Sequence, residues 1–497
     1  MAKSSEISRQ VVTYLQGVFT TQAVSIVLGV VARRLLGPVQ VGIWSLFQVI
    51  LTYAKYTSLG TFFAALREIP FYNGKGQTDK ADQIKNAVFT FGVVSSAVLS
   101  AAVAAYALVF RYRLSPEFFY GLLLVSGLIL LRRLNNMLIN FLRCYKYFDI
   151  ASKQMVFSSI VNAVLVSSLC YFFKLYGYIL AMCLSFLFNV LYILSYRKFT
   201  FRWCLDWERL HPLVLLGLPL MALTMANTIF LTADKLMIAK FLGLEALGFY
   251  NVAVLMATNV ANFPNSVGIV LMPNFQEKFG TTENKKDLQG YIEKSSYFFC
   301  DTMPYVVAAV YFLGPWLLKL VLPDFMGGAR AMQSLAFSAF FLAVDYPYGL
   351  FLVAVKKHLS MAKRVAVACV LAIALNFLAI RMGWGLVGIA GATVAALFFK
   401  FSANYFLTGR YLYGRELSLR NYLGILAKFV WMAAVIAVLE ILLVRMPYTA
   451  FKAVLQYGAF FLVYLPALFR LNAEFRVWEL FREKLGFGSG PKMADQG

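Results

Sequence analysis

Two adjacent arginines in the stretch LRRLNNMLINFLR, Leu131–Arg143, interrupt a run that is otherwise apolar enough to lie in lipid. On a helix, Arg133, Asn136 and Asn140 recur at i, i+3 and i+7, and Arg132 lies four residues before Asn136, so these side chains share a face. Arg143 marks the polar end of the run. Arg132, eleven residues further in at about 1.5 Å each, lies roughly 16 Å deeper. No arginine can snorkel that far back to water. At the bilayer centre such a charge costs about 2.5–3.5 kcal/mol. The pair must therefore meet either a carboxylate or backbone carbonyl on a neighbouring helix, or a wet cavity. In a cavity, guanidinium forks suit the oxygens of a phosphate.

The same conflict recurs along the chain. Lys55 falls seven residues after Gln48 on one helical face. In FLTADKLMIAKFLGLEALGFY, Phe230–Tyr250, Lys235 follows Asp234, and Thr224, Asn227, Thr228 and Leu231 precede Lys235 at helical spacing. Consecutive residues point about 100° apart, so Asp234 and Lys235 face different neighbours. Asn251, Thr258, Asn262 and Asn265 form a further stripe, with Pro264 as an expected kink; such a stripe serves either as substrate contact or as helix-packing glue. Asp345, just before Pro347, is a candidate proton or sodium site or an arginine counter-ion, and Asp234 is read the same way. Lys400 is deep in its run with Asn404 one turn on.

The inventory decides the sign. Lys55, Arg132, Arg133, Lys235 and Lys400 stand against Asp234 and Asp345, an excess of three positive charges that internal pairing cannot cancel. The expected substrate-binding set is Arg132, Arg133, Lys55, Lys235 and Lys400 with Asn136, Asn227 and Asn262, and the expected ligand is anionic. Catalytic or metal chemistry has little to work with. There are two histidines, both in polar connectors, and six cysteines without a C-x-x-C pair, so neither a metal centre, a cofactor nor a disulfide framework is expected.

The elements that must position these groups are transmembrane helices. Of 497 residues 61% are hydrophobic and 14% charged, in blocks of about 20 residues or more, the length that crosses about 30 Å of hydrocarbon. The chain reads as an all-α polytopic membrane protein of about fourteen helices. The expected spans are 11–35, 40–63, 86–110, 117–141, 153–173, 175–196, 213–241, 247–272, 296–321, 332–355, 362–380, 385–407, 422–444 and 449–469. The first is expected to be retained rather than cleaved as a signal peptide. With the N-terminus in the cytoplasm, thirty of the 46 basic residues fall on the cytoplasmic side and eleven on the other, so both termini are expected inside. The net charge of +23 then reflects topology and anionic lipid, not nucleic acid.

A repeat organises the spans. RLLGPVQVGIWSLFQV, Arg34–Val49, aligns with KFLGLEALGFYNVAVL, Lys240–Leu255, at an offset of 206 residues; Gly37 meets Gly243, Gly42 meets Gly248 and Trp44 meets Tyr250. The glycines suit tight helix-to-helix reversals that need positive φ or close backbone approach. An offset of six helices is even, so the copies share an orientation about an axis along the membrane normal. The expectation is two six-helix lobes in parallel pseudo-repeat, 1–200 and 201–410, with helices thirteen and fourteen and a cytoplasmic tail in 411–497. The boundary segment YRKFTFRWCLDWERLHP, Tyr196–Pro212, mixes aromatic and basic residues as an interfacial stretch does.

The order of these elements carries a resemblance. ARRLLGPVQVGIWSLFQ, Ala32–Gln48, LPLMALTMANTIFLTADKLMIAKFLGLEALGFYNVA, Leu218–Ala253, and LMPNF, Leu271–Phe275, resemble bacterial polysaccharide and O-antigen flippases of the multidrug/oligosaccharidyl-lipid/polysaccharide exporter superfamily. The likeness runs along essentially the whole chain and implies two lobes around a central cavity with rocker-switch alternating access. It implies as substrate a lipid-linked oligosaccharide on a polyprenyl diphosphate, moved from the inner to the outer leaflet of the bacterial cytoplasmic membrane for surface polysaccharide such as lipopolysaccharide. Polysaccharide polymerase and chain-length machinery are the implied partners. With no P-loop in the chain, H+ or Na+ coupling or removal of product would drive transport. A multidrug exporter would prefer an acidic cavity, a lipid II flippase is a close alternative, and a membrane polymerase or ligase would need a larger outward loop.

Overall fold

The computed structural model describes the backbone of residues 2–260, 264, 285–355, 357–412 and 417–475. Among these residues the regular structure is all helical, without strands. The elements are α1 (Ala2–Tyr53), α2 (Thr61–Gly74), α3 (Thr78–Val109), α4 (Pro116–Cys144), α5 (Phe148–Ser195), α6 (Trp207–Phe241), α7 (Leu244–Val260), α8 (Gln289–Ala308), α9 (Gly314–Val321), α10 (Ala329–Ala354), α11 (His358–Arg381), α12 (Gly385–Leu412), α13 (Leu417–Leu442) and α14 (Ala450–Phe475). The protein is a multi-pass membrane protein. Among the described residues 11 helical segments are long and apolar enough to span, and α7 is a shorter apolar helix.

Two of the long segments are hairpins, which accounts for the higher number of expected spans. In α5 the backbone leaves helical geometry at Lys174 (φ 49°, ψ −125°). The residues on either side pair so that one index falls as the other rises, the signature of antiparallel packing: Ser185 Oγ donates to Asn162 Oδ1 and Asn189 Nδ2 to Ser158 Oγ, while Phe157 stacks on Tyr192. α1 turns at Gly37 (φ 74°, ψ 172°), a conformation for which glycine is suited. Arg33 and Ser45 would lie about 18 Å apart on a straight helix, yet both bond the side chain of Asn251. The chain must fold back between them.

One expected span differs from what forms. The helix expected over 40–63 tightens into a 3-10 turn at Ala54–Ser58, passes through left-handed Leu59 and Gly60 (φ 46° and 81°), and restarts as α2. The break coincides with a close backbone approach. A Cβ on Gly60 would lie 2.6 Å from the Gly217 carbonyl carbon, so α6 crosses the break in direct backbone contact.

By packing, the chain divides into two compact units. The first comprises Met1–Val252, Leu318–Ala329 and His358–Ala392; the second comprises Ala253–Leu317, Arg330–Lys357 and Thr393–Gly497.

Within the first unit the repeat becomes physical. Gly243 has positive φ (91°), as Gly37 does. A Cβ on Gly42 would meet the Leu244 carbonyl, and one on Gly248 the Pro38 carbonyl. Pro38 and Leu244 are themselves repeat equivalents, so the contact is reciprocal, as at a two-fold axis. Asn251 Nδ2 donates to Ser45 Oγ at 2.8 Å, and these two residues are also 206 apart. A local two-fold therefore runs between the start of the second half of α1 and the start of α7.

The interfacial segment is ordered by the same unit. Residues 197–206 lie non-helically along α3 and α4. Phe201 stacks on Phe89 with ring centres 4.1 Å apart, and the Cys204 amide donates to Thr90 Oγ1. Trp203, Leu205 and Trp207 stay exposed, as interfacial residues do.

Candidate functional site: a cationic cavity in the first unit

The site is built by the second half of α1, the middle of α4 and the end of α6. α4 starts with Ser115 as N-cap, its hydroxyl accepting from the Phe118 amide, and with Pro116 at the first turn. That start and the end at Cys144 leave Arg132 and Arg133 mid-helix, about 24 Å and 18 Å of rise from the two ends. Two cavities meet at this level. One, of about 200 Å3, is lined by Gln48, Val49, Thr52, Arg132, Thr232 and Lys235. The other, of about 120 Å3, is lined by Lys55, Arg132, Arg133 and Asn136 together with Leu51, Thr52, Ala54, Ser96 and Ile129. Arg132 and Thr52 belong to both.

The lining is cationic and carries no carboxylate among these residues. Among the described residues, no salt bridge reaches Lys55, Arg132, Arg133 or Lys235. Arg133 is buried to 8% exposure, and its Nε and one Nη have no hydrogen-bond partner among the described residues. Its guanidinium lies 5.5 Å from the ring centre of Phe62. Burying a charged donor without acceptors is costly, so an anion entering here would relieve the protein as well as be held by it. Thr52, Ser96, Thr232, Gln48 and Asn136 add neutral hydrogen-bonding groups to the walls.

Neighbouring contacts aim these groups. Tyr56 and Lys55 both reach Thr228 Oγ1, at 2.6 Å and 3.3 Å, and Tyr53 meets Thr232 Oγ1 at 2.8 Å, so the 3-10 turn is tied to α6. Asp234 does not neutralise the cavity by a direct ion pair. One of its oxygens accepts from Tyr250 and the other from the Lys235 backbone amide, each at 2.7 Å. The carboxylate and the ammonium of this dipeptide thus face different surroundings, as their one-residue spacing requires.

Other expected site residues fall elsewhere. Asn227 donates to the Leu223 carbonyl within its own helix and lines neither cavity. Asn251 is packing glue at the two-fold, accepting from Arg33 at 2.9 Å. Asn262 and Asn265 lie outside the described residues, as does LMPNF. Lys400 and Asp345 belong to the second unit and bond each other, at 3.3 Å, with Asn404 Nδ2 donating to the other Asp345 oxygen at 2.8 Å. Of the five expected cavity cations, four, all in one unit, are without a salt bridge among the described residues, and Lys400 is paired. Thr52, Ser96 and Thr232 are polar lining residues outside the expected set. Thr52 lies between Gln48 and Lys55 at helical spacing, so the periodicity that picked out those two contained it.

The family model described as polysaccharide biosynthesis protein matches residues 7–279. The chain belongs to the polysaccharide biosynthesis protein family. Members of the MOP superfamily share its fold. An inward-facing multidrug resistance MATE family transporter superposes with a TM-score of 0.62 at 16% identity, over 78% of this chain and 95% of that one. The lipid II flippase MurJ in an inward closed conformation gives 0.63 at 14% identity, over 93% and 99%. A MOP superfamily transporter from Pyrococcus furiosus, described as having reverse polarity of its binding pocket, gives 0.55 at 15% identity, over 86% and 95%. No curated protein sequence matches the chain. At these identities the structural likeness is one of fold; what this polysaccharide biosynthesis protein moves is read from its own cavity.

Proposed function

We propose that this polysaccharide biosynthesis protein is a flippase for a polyprenyl-diphosphate-linked oligosaccharide, carrying it from the inner to the outer leaflet of the bacterial cytoplasmic membrane. The observation that carries the reading is the pair of adjoining cavities that share Arg132, with Lys235 on one side and Lys55 and Arg133 on the other. Four cations converge without a salt-bridged carboxylate, and a diphosphate supplies the missing negative charge. Guanidinium forks take phosphate oxygens in bidentate fashion, whereas the two lysines act as point charges. Hydroxyl and amide groups on the walls suit the polar headgroup, which otherwise loses a few kcal/mol for each hydrogen bond stripped in hydrocarbon. The prenyl chain stays in lipid.

In this reading the protein performs transport and no covalent chemistry. The lobes 1–200 and 201–410 alternate the cavity between the two faces of the membrane, with both termini cytoplasmic. A gradient of H+ or Na+, or removal of product by polysaccharide polymerase and chain-length machinery, supplies the direction. A cationic drug is disfavoured by the sign of the cavity.

Reconstitution in vesicles tests the proposal, comparing translocation of a fluorescent prenyl-diphosphate oligosaccharide, lipid II and a cationic drug. The oligosaccharide is expected to flip and the drug not to. Arg132→Ala together with Arg133→Ala is expected to abolish flipping. Transport of the drug alone, or full flipping by the double variant, would refute the reading.

A further inference from the structure

The break between α1 and α2 leaves a helix end inside the protein. α2 starts at Thr61, itself fully buried, behind Gly60, a left-handed residue (φ 81°, ψ −9°) that supplies no side-chain cap. The Phe63 and Ala64 amides both use the Gly60 carbonyl, and the Thr61 and Phe62 amides stand ahead of them at the open end. Such an end carries roughly half a positive charge, which an acidic residue in the first turn would stabilise. α2 has none there. Its one carboxylate, Glu68, lies seven residues on, about 10 Å of rise, beside Arg67. A cation rests against this positive end instead. Arg133 from α4 places its guanidinium 5.5 Å from the ring centre of Phe62, in the first turn of α2. More than nine-tenths of Arg133 is buried, and its Nε and one Nη have no partner among the described residues. Lys55, five residues before Gly60, lines the same cavity as Arg133, and no salt bridge among the described residues reaches either.

We infer that the N-terminus of α2 and Arg133 form an anion subsite that seats one phosphoryl group of the transported diphosphate. The identity of that anion rests on the flippase reading; the unbalanced positive charge of the corner does not. Helix N-termini hold phosphate because their amides and their dipole both favour negative charge, and broken transmembrane helices present such ends to anionic substrate groups. The three free oxygens of a phosphoryl group suffice to meet the amides on one side and a guanidinium fork on the other. A neutral sugar hydroxyl would leave the charge of Arg133 unanswered in its buried place. The irregular backbone thereby gains a role. A helix running unbroken through residues 54–60 would spend the Thr61 and Phe62 amides on its own ladder, whereas the break frees them beside the cavity. The two adjacent arginines then divide the work: Arg132 lies between the two cavities, and Arg133 acts with the end of α2.

Supplying the negative charge from within the protein tests the subsite. Phe62→Glu puts a carboxylate in the first turn of α2, beside both the helix end and Arg133, and Phe62→Gln has the same shape without the charge. Binding of inorganic pyrophosphate and of a short-chain prenyl diphosphate is titrated on the purified full-length protein, and the unfolding midpoint is recorded without ligand. Phe62→Glu is expected to weaken both ligands at least about tenfold and to have a higher ligand-free midpoint than Phe62→Gln. Phe62→Gln should bind within about fivefold of the wild type, the scale of a lost cation–π contact. Arg133→Lys, which keeps the charge and loses the fork, is expected to weaken both ligands as well. Equal binding by Phe62→Glu and Phe62→Gln overturns the proposal, as does wild-type affinity in Arg133→Lys. Dispersed phosphatidylglycerol is expected to leave the variants alike; stabilisation by it that Phe62→Glu removes would assign the corner to a phospholipid headgroup and overturn the proposal too. Arg132→Ala separates this inference from the flippase reading. Binding that Arg132→Ala weakens while Phe62→Glu and Arg133→Lys do not removes the subsite alone, and a wild-type protein that binds neither diphosphate removes both.

Discussion

Adding one methyl group at the two-fold should measure how closely the repeat halves are joined. In Gly42→Ala the new Cβ would lie 2.8 Å from the Leu244 carbonyl carbon and closer still to its oxygen, with the Gly248 amide at 3.3 Å. In Gly248→Ala it would lie 2.6 Å from the Pro38 carbonyl carbon. Ordinary Cβ contacts begin near 3.4 Å, and neither obstacle is the tip of a flexible side chain. The two segments must part by roughly 1 Å, which forfeits up to about half of the dispersion energy across the contact. Overpacking of this kind costs about 1–3 kcal/mol. Alanine returns about 1 kcal/mol of helix propensity, so each variant should lose up to roughly 2 kcal/mol relative to wild type and lie about 1–3 kcal/mol below the glycine-to-alanine controls. One separation relieves both clashes, so the double variant should cost clearly less than the sum of the singles. Gly127→Ala and Gly391→Ala, whose added Cβ would meet nothing within 4 Å, are the controls and should be neutral or stabilising. The assay is thermal unfolding of the four variants and the double variant in detergent. A Gly42→Ala protein as stable as the controls, or strict additivity in the double variant, would refute the reciprocal contact.

Three further outcomes follow from the geometry. Lys400→Met should destabilise the protein by about 3–5 kcal/mol because it leaves Asp345 buried with only Asn404, whereas Lys400→Met with Asp345→Leu should recover much of the loss; denaturant unfolding of the single and double variants checks this. Asn251→Leu removes an acceptor from Arg33 and a donor to Ser45 at once, and should cost about 1–3 kcal/mol, read from the same unfolding curves. Cysteines at Asn162 and Ser185, on facing sides of the α5 hairpin, should form a disulfide on mild oxidation that is visible as a mass decrease, while cysteines at Asn162 and Tyr171 should not.

The helices were legible because lipid imposes a length and an apolar composition that few sequences satisfy by chance. The repeat was legible because its glycines are demanded by backbone geometry: Gly37 and Gly243 both have positive φ, and Gly42 and Gly248 sit where a side chain cannot. Both hairpins were legible too: the expected spans part between 35 and 40 and at 174, where the backbone reverses at Gly37 and Lys174. The break at Leu59–Gly60 went unseen. It lies where α6 crosses at Gly217, a contact between residues far apart in the chain. At the site, helical spacing brought out Arg132, Arg133, Asn136 and Lys55, which do line one cavity. Spacing along one helix carries no information about the neighbour it meets. Lys400 therefore looked like a cavity lysine until α10 brought Asp345 against it, and the two readings of Asn251, ligand contact or packing glue, were decided only when α1 brought Arg33 and Ser45.

The central claim is that the four unpaired cations of the first unit hold the phosphates of a lipid-linked saccharide. The most direct measurement is equilibrium binding of a prenyl-diphosphate oligosaccharide to the purified protein, titrated for the wild type, Arg132→Ala, Lys235→Ala and the Lys400→Met, Asp345→Leu pair. Affinity should fall at least tenfold in each of the first two variants and stay within about twofold in the last, each tenfold step being about 1.4 kcal/mol. Undiminished binding in Arg132→Ala, or an equal fall in all three variants, would contradict the account.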